Sequence, residues 1–200
     1  MTERLPLDPR KRPRQRRAVA TVDAICEAAA RILEDHGADA LNTNAVAERA
    51  GVSVGSLYQY FPGKEAILAE LIARRGVALA ERLELAAAID DLDDALVAMV
   101  RVAVAQQSGR PRLARILDLA EERLPLDEPQ RALQARIEGA VTTFLGRSGV
   151  PKDRIGVAAL DLFGLARGMT DTAAAAGALE GLDGRITRAV KGYISDLIAR

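Results

Sequence analysis

Gly51 is the residue that most constrains how this chain can fold. Before it, the run 43–50 places Val46, Ala47 and Ala50 on one helical face. After it, Ser53 is a good N-cap for a second short helical run that ends at Tyr60. A joint this short needs backbone with positive φ, which glycine adopts without steric cost. Ala47 is small enough to let the second helix cross closely. Val52 fills the space between the two, and Leu57 points back beside Val46 and Ala50. Helices at 43–50 and 54–60 around a glycine turn, with one buried aliphatic in the second, make a helix-turn-helix pattern. An ordinary αα-hairpin is the competing reading.

The rest of the chain reads as helix. Of its 200 residues 49% are hydrophobic, mostly Ala, Leu, Val and Ile. Ala and Leu are strong helix formers, and no stretch sustains period-2 alternation. In 17–36, Val22, Ile25, Ala29, Ile32 and Leu33 recur at three- and four-residue steps, with Gly37 just past the end and His36 in the last turn. A long helix begins near Gly63, reaches about Ala88 and has Gly76 as a possible bend. Five more follow at 92–108, 111–123, 128–147, 152–178 and 183–199. Their starts are marked by Asp90–Asp91, Pro111, Pro129, Pro151 and Asp183, and their stops by Gly109, Gly149 and Gly181. The expected fold is all-α.

The exposed side of the second short helix carries the chemistry. Three of the chain's six aromatic residues, Tyr58, Tyr60 and Phe61, fall within four positions there. Val54, Gly55 and Ser56 form the first turn, the end that recognition helices often present to base edges in the major groove. Gly55 and Ser56 are small enough for close approach, and Gln59 can pair with adenine. The hydroxyls of Tyr58 and Tyr60 suit phosphate oxygens. Lys64 adds charge where free N–H groups already favour an anion. Thr43 and Asn44 open the preceding helix within reach of the opposite strand. Packing competes for Tyr60 and Phe61, and less for Tyr58.

Charge points the same way. The net charge of the chain is zero, but residues 1–17 hold seven basic side chains against Glu3 and Asp8, a balance of +5 that leaves −5 for the remainder. A basic arm bearing Arg14, Arg16 and Arg17 on a mildly acidic body is a nucleic-acid-facing pattern. A solubilising tail is the alternative. The arm carries no apolar run, and no segment approaches the ~20 apolar residues of a membrane span. The chain is therefore expected to be soluble and cytoplasmic. Cys26, the single cysteine, lies on an apolar helical face and reads as a buried hydrophobe, with no disulfide or metal cluster implied. One histidine, one cysteine, no phosphate-binding glycine loop and no paired carboxylates argue against an enzyme.

With these residues in place, AERAGVSVGSLYQYFPGKEAIL resembles the TetR family of bacterial regulators over roughly residues 18–72. The resemblance implies nine helices: a three-helix DNA-binding domain with the helix-turn-helix, and a six-helix domain for ligand binding and dimerisation. It divides the chain into a basic arm 1–17, a DNA-binding domain 18–64 and a ligand-binding and dimerisation domain 65–200. It places DNA contacts on Thr43, Asn44, Val54, Gly55, Ser56, Tyr58, Gln59, Tyr60 and Lys64. Some members carry a basic residue where Asn44 stands, and Pro62-Gly63 replaces the polar cap often found before the lysine.

A homodimer on the last two helices is implied as well. Gly164 and Gly168 lie four apart between Leu160 and Asp171, and Ile186, Val190, Tyr193, Ile194, Leu197 and Ile198 form an apolar stripe. For the ligand, Met99, Val102 and Gln106 share a face of the fifth helix, Leu117 lies on the sixth, Val141 and Phe144 on the seventh, and Phe163 and Met169 on the eighth. These faces fit either an apolar cavity with Gln106 as its polar group or plain core. No cofactor or metal is implied. The expected function is a homodimeric repressor of a palindromic operator, released by a small molecule. A DNA-bound architectural or cell-division factor of the same fold without a ligand is the alternative.

Overall fold

A computed structural model describes residues 16–124 and 128–199, with the Arg16 side chain excepted. The described residues form nine α-helices and no strand: α1 Arg16–His36, α2 Thr43–Ala50, α3 Val54–Tyr60, α4 Lys64–Ala87, α5 Leu92–Ser108, α6 Pro111–Glu121, α7 Glu128–Arg147, α8 Ile155–Ala175 and α9 Leu182–Ala199. A 3-10 turn at Ala38–Ala40 follows α1. No described helix is long and apolar enough to cross a membrane. The chain divides into two compact units, Met1–Arg75 with Arg112–Pro125, and Gly76–Pro111 with Leu126–Arg200. The division falls inside α4, and α6 belongs with the amino-terminal helices.

The first unit closes on the residues that the helical spacing picked out. Ile25, Ala29 and Leu33 of α1 are fully buried with Val46 of α2, Leu57 of α3 and Phe61. Cys26 sits in the same core, and its burial pushes the thiol up to about 12. The Arg49 guanidinium ties the end of α2 to Asp35 of α1 at 2.7 Å. From α6, Leu113 and Leu117 join this core. Leu117 had been assigned from the sequence to the ligand pocket. It packs here instead because α6 returns to the amino-terminal helices. Half-buried Arg75 of α4 holds α6 in place, donating to Asp118 at 2.7 Å and to the Ala114 carbonyl at 3.1 Å.

The second unit packs α5, α7, α8, α9 and the later part of α4 around Leu96, Met99, Phe144, Leu145, Ala158 and Ile186. Helix α4 continues through Gly76, and the glycine supplies room there: a Cβ would stand 2.5 Å from Leu133 Cδ2 of α7. Two boundaries differ from the sequence reading. Helix α8 starts at Ile155, after a turn in which the Arg154 amide donates to the Pro151 carbonyl, and it ends at Ala175. Its stop is Gly177, at φ 65°, with the Ala178 amide reaching back to the Ala173 carbonyl. Gly181 instead shapes the turn before α9, at φ 62°. Along α9, Ile186, Val190 and Ile194 go into the core of their own unit, which leaves Ile198 as the exposed part of that stripe.

Arg147, near the end of α7, donates to the carbonyls of Ala87, Ile89 and Asp90. Ala87 closes α4, where carbonyls lack intrahelical partners, and Ile89 and Asp90 lie in the turn that leads to α5. Arg147→Ala is expected to lower the stability of the second unit by about 1–3 kcal/mol, since bonds from a charged donor are among the stronger ones. Urea denaturation followed by circular dichroism measures it. Arg136→Ala, which breaks only the exposed pair with Glu84 at 2.7 Å, should leave the midpoint in place.

Candidate nucleic-acid interface

The site is built by two caps and one turn. Asn42 accepts the Ala45 amide at 2.9 Å and so starts α2. Gly51, at φ 67° and ψ 30°, ends it, with the Gly51 amide donating to carbonyls of the last turn. Ser53 then starts α3 by accepting the Ser56 amide at 3.1 Å. With only seven residues, α3 is too short to hold its shape alone. It is held by Leu57, fully buried against α1 and α2, and by Phe61, whose amide donates to the Leu57 carbonyl at 2.9 Å as the chain leaves the helix.

That anchoring decides which residues face outward. On a helical wheel, Val54, Tyr58, Gly55 and Gln59 share one arc, opposite Leu57 and Tyr60. All four are exposed, whereas Tyr60 is half-buried against the core. The aromatic cluster therefore divides. Phe61 is entirely core, Tyr60 is mixed, and Tyr58 is 40% exposed with its hydroxyl 3.2 Å from that of Thr43. This contact brings the first residue of α2 to the middle of α3. Each hydroxyl keeps capacity for a further partner. Asn44 is exposed beside it. Ser56 is half-buried, and its hydroxyl lies 2.8 Å from that of Ser53, so it serves its own cap.

Lys64 is exposed and is the first residue of α4. A cation there opposes the positive end of the helix dipole. The amides of the same first turn lack intrahelical partners. Arg17 is exposed at the start of α1. Arg14 and the Arg16 side chain lie outside the described residues.

Two functional elements escaped the sequence reading. Asn42 is a capping residue type three positions before the amide that it accepts, a signal that was available. The Arg49–Asp35 pair has no local signal. It occupies a basic residue that charge alone would count among the exposed cations of α2.

Four exposed residues of mixed chemistry on a short, rigidly anchored helix, flanked by a lysine and a hydroxyl pair, form the outer face of a helix-turn-helix, the element that DNA-binding regulators present to the major groove. The comparisons agree. Residues 25–71 match the family model for bacterial regulatory proteins of the tetR family. Among curated proteins none matches the sequence. Among solved structures, a protein of unknown function from Rhodococcus sp. RHA1 is similar with a TM-score of 0.74 at 21% identity, over 89% of this chain and 95% of that one. A TetR-family transcriptional regulator from Streptomyces coelicolor gives 0.69 at 22%, over 90% and 99%. SmeT in complex with triclosan gives 0.66 at 21%, over 88% and 91%. At these identities the structural likeness speaks for the fold. The amino-terminal helices thus match the tetR family model over residues 25–71, and the solved structures carry the same fold over most of the chain.

Proposed function

We propose that this chain is a homodimeric repressor, acting in the cytoplasm, that reads a palindromic operator through α3 and releases it when a small molecule binds. In this reading residues 18–64 form the DNA-binding domain and residues 65–200 carry ligand binding and dimerisation. The exposed arc of Val54, Gly55, Tyr58 and Gln59 carries the argument, because nothing in the fold of the first unit requires those residues there. Gln59 reads a base edge, and Tyr58, Thr43, Asn44 and Lys64 take phosphates or neighbouring groups. Arg14, Arg16 and Arg17 add salt-dependent affinity without sequence preference.

Dimerisation is supported by the outer face of α8. Leu160 is 69% exposed there, and nothing stands within 4 Å of where a Cβ would sit on Gly164 or Gly168. A helix of a second copy can approach such a face closely. The effector part is argued by analogy with SmeT, which is solved with triclosan. Helix α4 belongs to both units, so a ligand that prefers one placement of its later part shifts the DNA-binding state.

The test is selection of duplexes from a random library by the full-length protein, followed by titration of the enriched site. Gln59→Ala is expected to weaken binding about tenfold or more and to relax preference at one position per half-site. Lys64→Ala should weaken all sequences alike and lower the salt dependence by about one counterion per lysine. Unchanged affinity and salt slope in both variants would remove these residues from the interface.

A further inference from the structure

The second unit holds a cavity of about 70 Å³ in its core. Helices α4, α5, α7, α8 and α9 all contribute to its wall, through Leu83, Met99, Ala103, Phe144, Phe163 and Ile186 among others. Every lining side chain is apolar. Four of the residues assigned to a ligand pocket from the sequence, Met99, Val141, Phe144 and Phe163, do line it. Val102, Met169 and the polar group expected there, Gln106, do not. The one buried polar side chain among the described residues, Thr170, donates its hydroxyl to the Ala166 carbonyl at 2.7 Å. The cavity thus offers an entering molecule no hydrogen bond.

We propose that this cavity binds a neutral hydrocarbon ring or short alkyl chain and rejects polar analogues of the same shape. Identifying its ligand with the effector rests on the effector reading given above. A polar or charged group would leave water for a site with no partner, so the penalty falls on it selectively. An apolar group gains contacts that the void denies its lining. Apolar cavities of about 150 Å³ stay dry and hold benzene or xenon. At 70 Å³ this one accepts a xenon-sized body directly, and a ring once its wall yields. The wall has the means to yield. Met99 is unbranched and adaptable, while Ala103, Phe163 and Ala166 are only half-buried and mark the side from which a ligand enters.

Benzene, phenol and benzoate, titrated against the full-length protein, test this by thermal shift, with xenon-pressurised methyl NMR as the probe of size. Benzene should raise the melting temperature saturably. Phenol should bind at least about tenfold more weakly and benzoate not at all. Xenon should perturb methyl signals of the lining residues. Ala166→Leu, or Ala103→Leu if the first variant does not fold, fills the space and should abolish the benzene effect. Phenol or benzoate binding as tightly as benzene, silence of both benzene and xenon, or benzene binding that survives the filled variant would each overturn the proposal. If benzene binds this cavity and the selected DNA stays bound, the ligand class stands and the effector reading fails. If benzene does not bind and a charged metabolite releases the DNA, the effector reading stands and this inference fails.

Discussion

Leu57→Ala is expected to destabilise the first unit by about 2–5 kcal/mol and to abolish DNA binding at ordinary temperatures. Leu57 is fully buried, with no accessible surface. Removing its buried carbons forfeits their transfer free energy and leaves a cavity that the neighbours cannot fully close. The loss is concentrated, because α3 has only seven residues and no intrinsic stability to fall back on. Tyrosine fluorescence in a urea titration reads the effect, since Tyr58 and Tyr60 both belong to this unit and Tyr193 alone to the other. Leu85→Ala is the control. That leucine is 73% exposed, and its truncation should move stability by no more than about 0.5 kcal/mol. Equal effects at the two positions would mean that Leu57 does not anchor the recognition helix.

The helix-turn-helix was legible in the sequence because its determinants are local. Gly51 announces a left-handed residue, Ser53 a cap, and Val46 and Leu57 a shared buried side, all within a dozen positions. Helix α8 shows where local signals compete. The Ala173–Ala178 tract has high helix propensity and invites extension to Ala178. Gly177, inside it, takes φ 65° and ends the helix near Ala175.

Placement in three dimensions was less legible. Apolar spacing made Leu117 a buried residue, which it is, but spacing does not say in which core. The answer depends on Arg75 meeting Asp118 and on α6 returning to the amino-terminal helices, contacts between residues far apart in sequence. From sequence Gly76 offers a possible bend in α4, whereas in the fold the helix runs on and Leu133 of α7 fills the space beside the glycine. The same limit applies to the candidate site. Residue types singled out Tyr58, Gln59 and Lys64, whereas the Ser53–Ser56 contact that occupies Ser56, and the Asp35 partner of Arg49, needed coordinates.

Gly55→Leu is expected to lower affinity for the selected DNA by more than about 100-fold, and Gly55→Ala by at least about tenfold, without loss of fold. Gly55 lies within α3 at ordinary helical φ, and a Cβ built on it would meet only Ser53 Oγ, at 3.9 Å, an ordinary contact. Folding therefore gives no reason for glycine here, and glycine inside a helix costs about 0.5–1 kcal/mol relative to alanine. Alanine should accordingly leave the melting temperature unchanged or raise it slightly. In the proposed function the reason for glycine lies in the complex with DNA. Between Val54 and Gln59 it leaves a notch through which the α3 backbone can come close to base edges. A side chain there pushes the helix away, and every contact along the arc lengthens together. The loss is felt in both half-sites of the proposed dimer, and each tenfold step corresponds to about 1.4 kcal/mol. Paired measurements of thermal stability and DNA affinity on the two variants give the answer. A stable Gly55→Leu protein that still binds like the wild type would show that this face of α3 does not meet DNA.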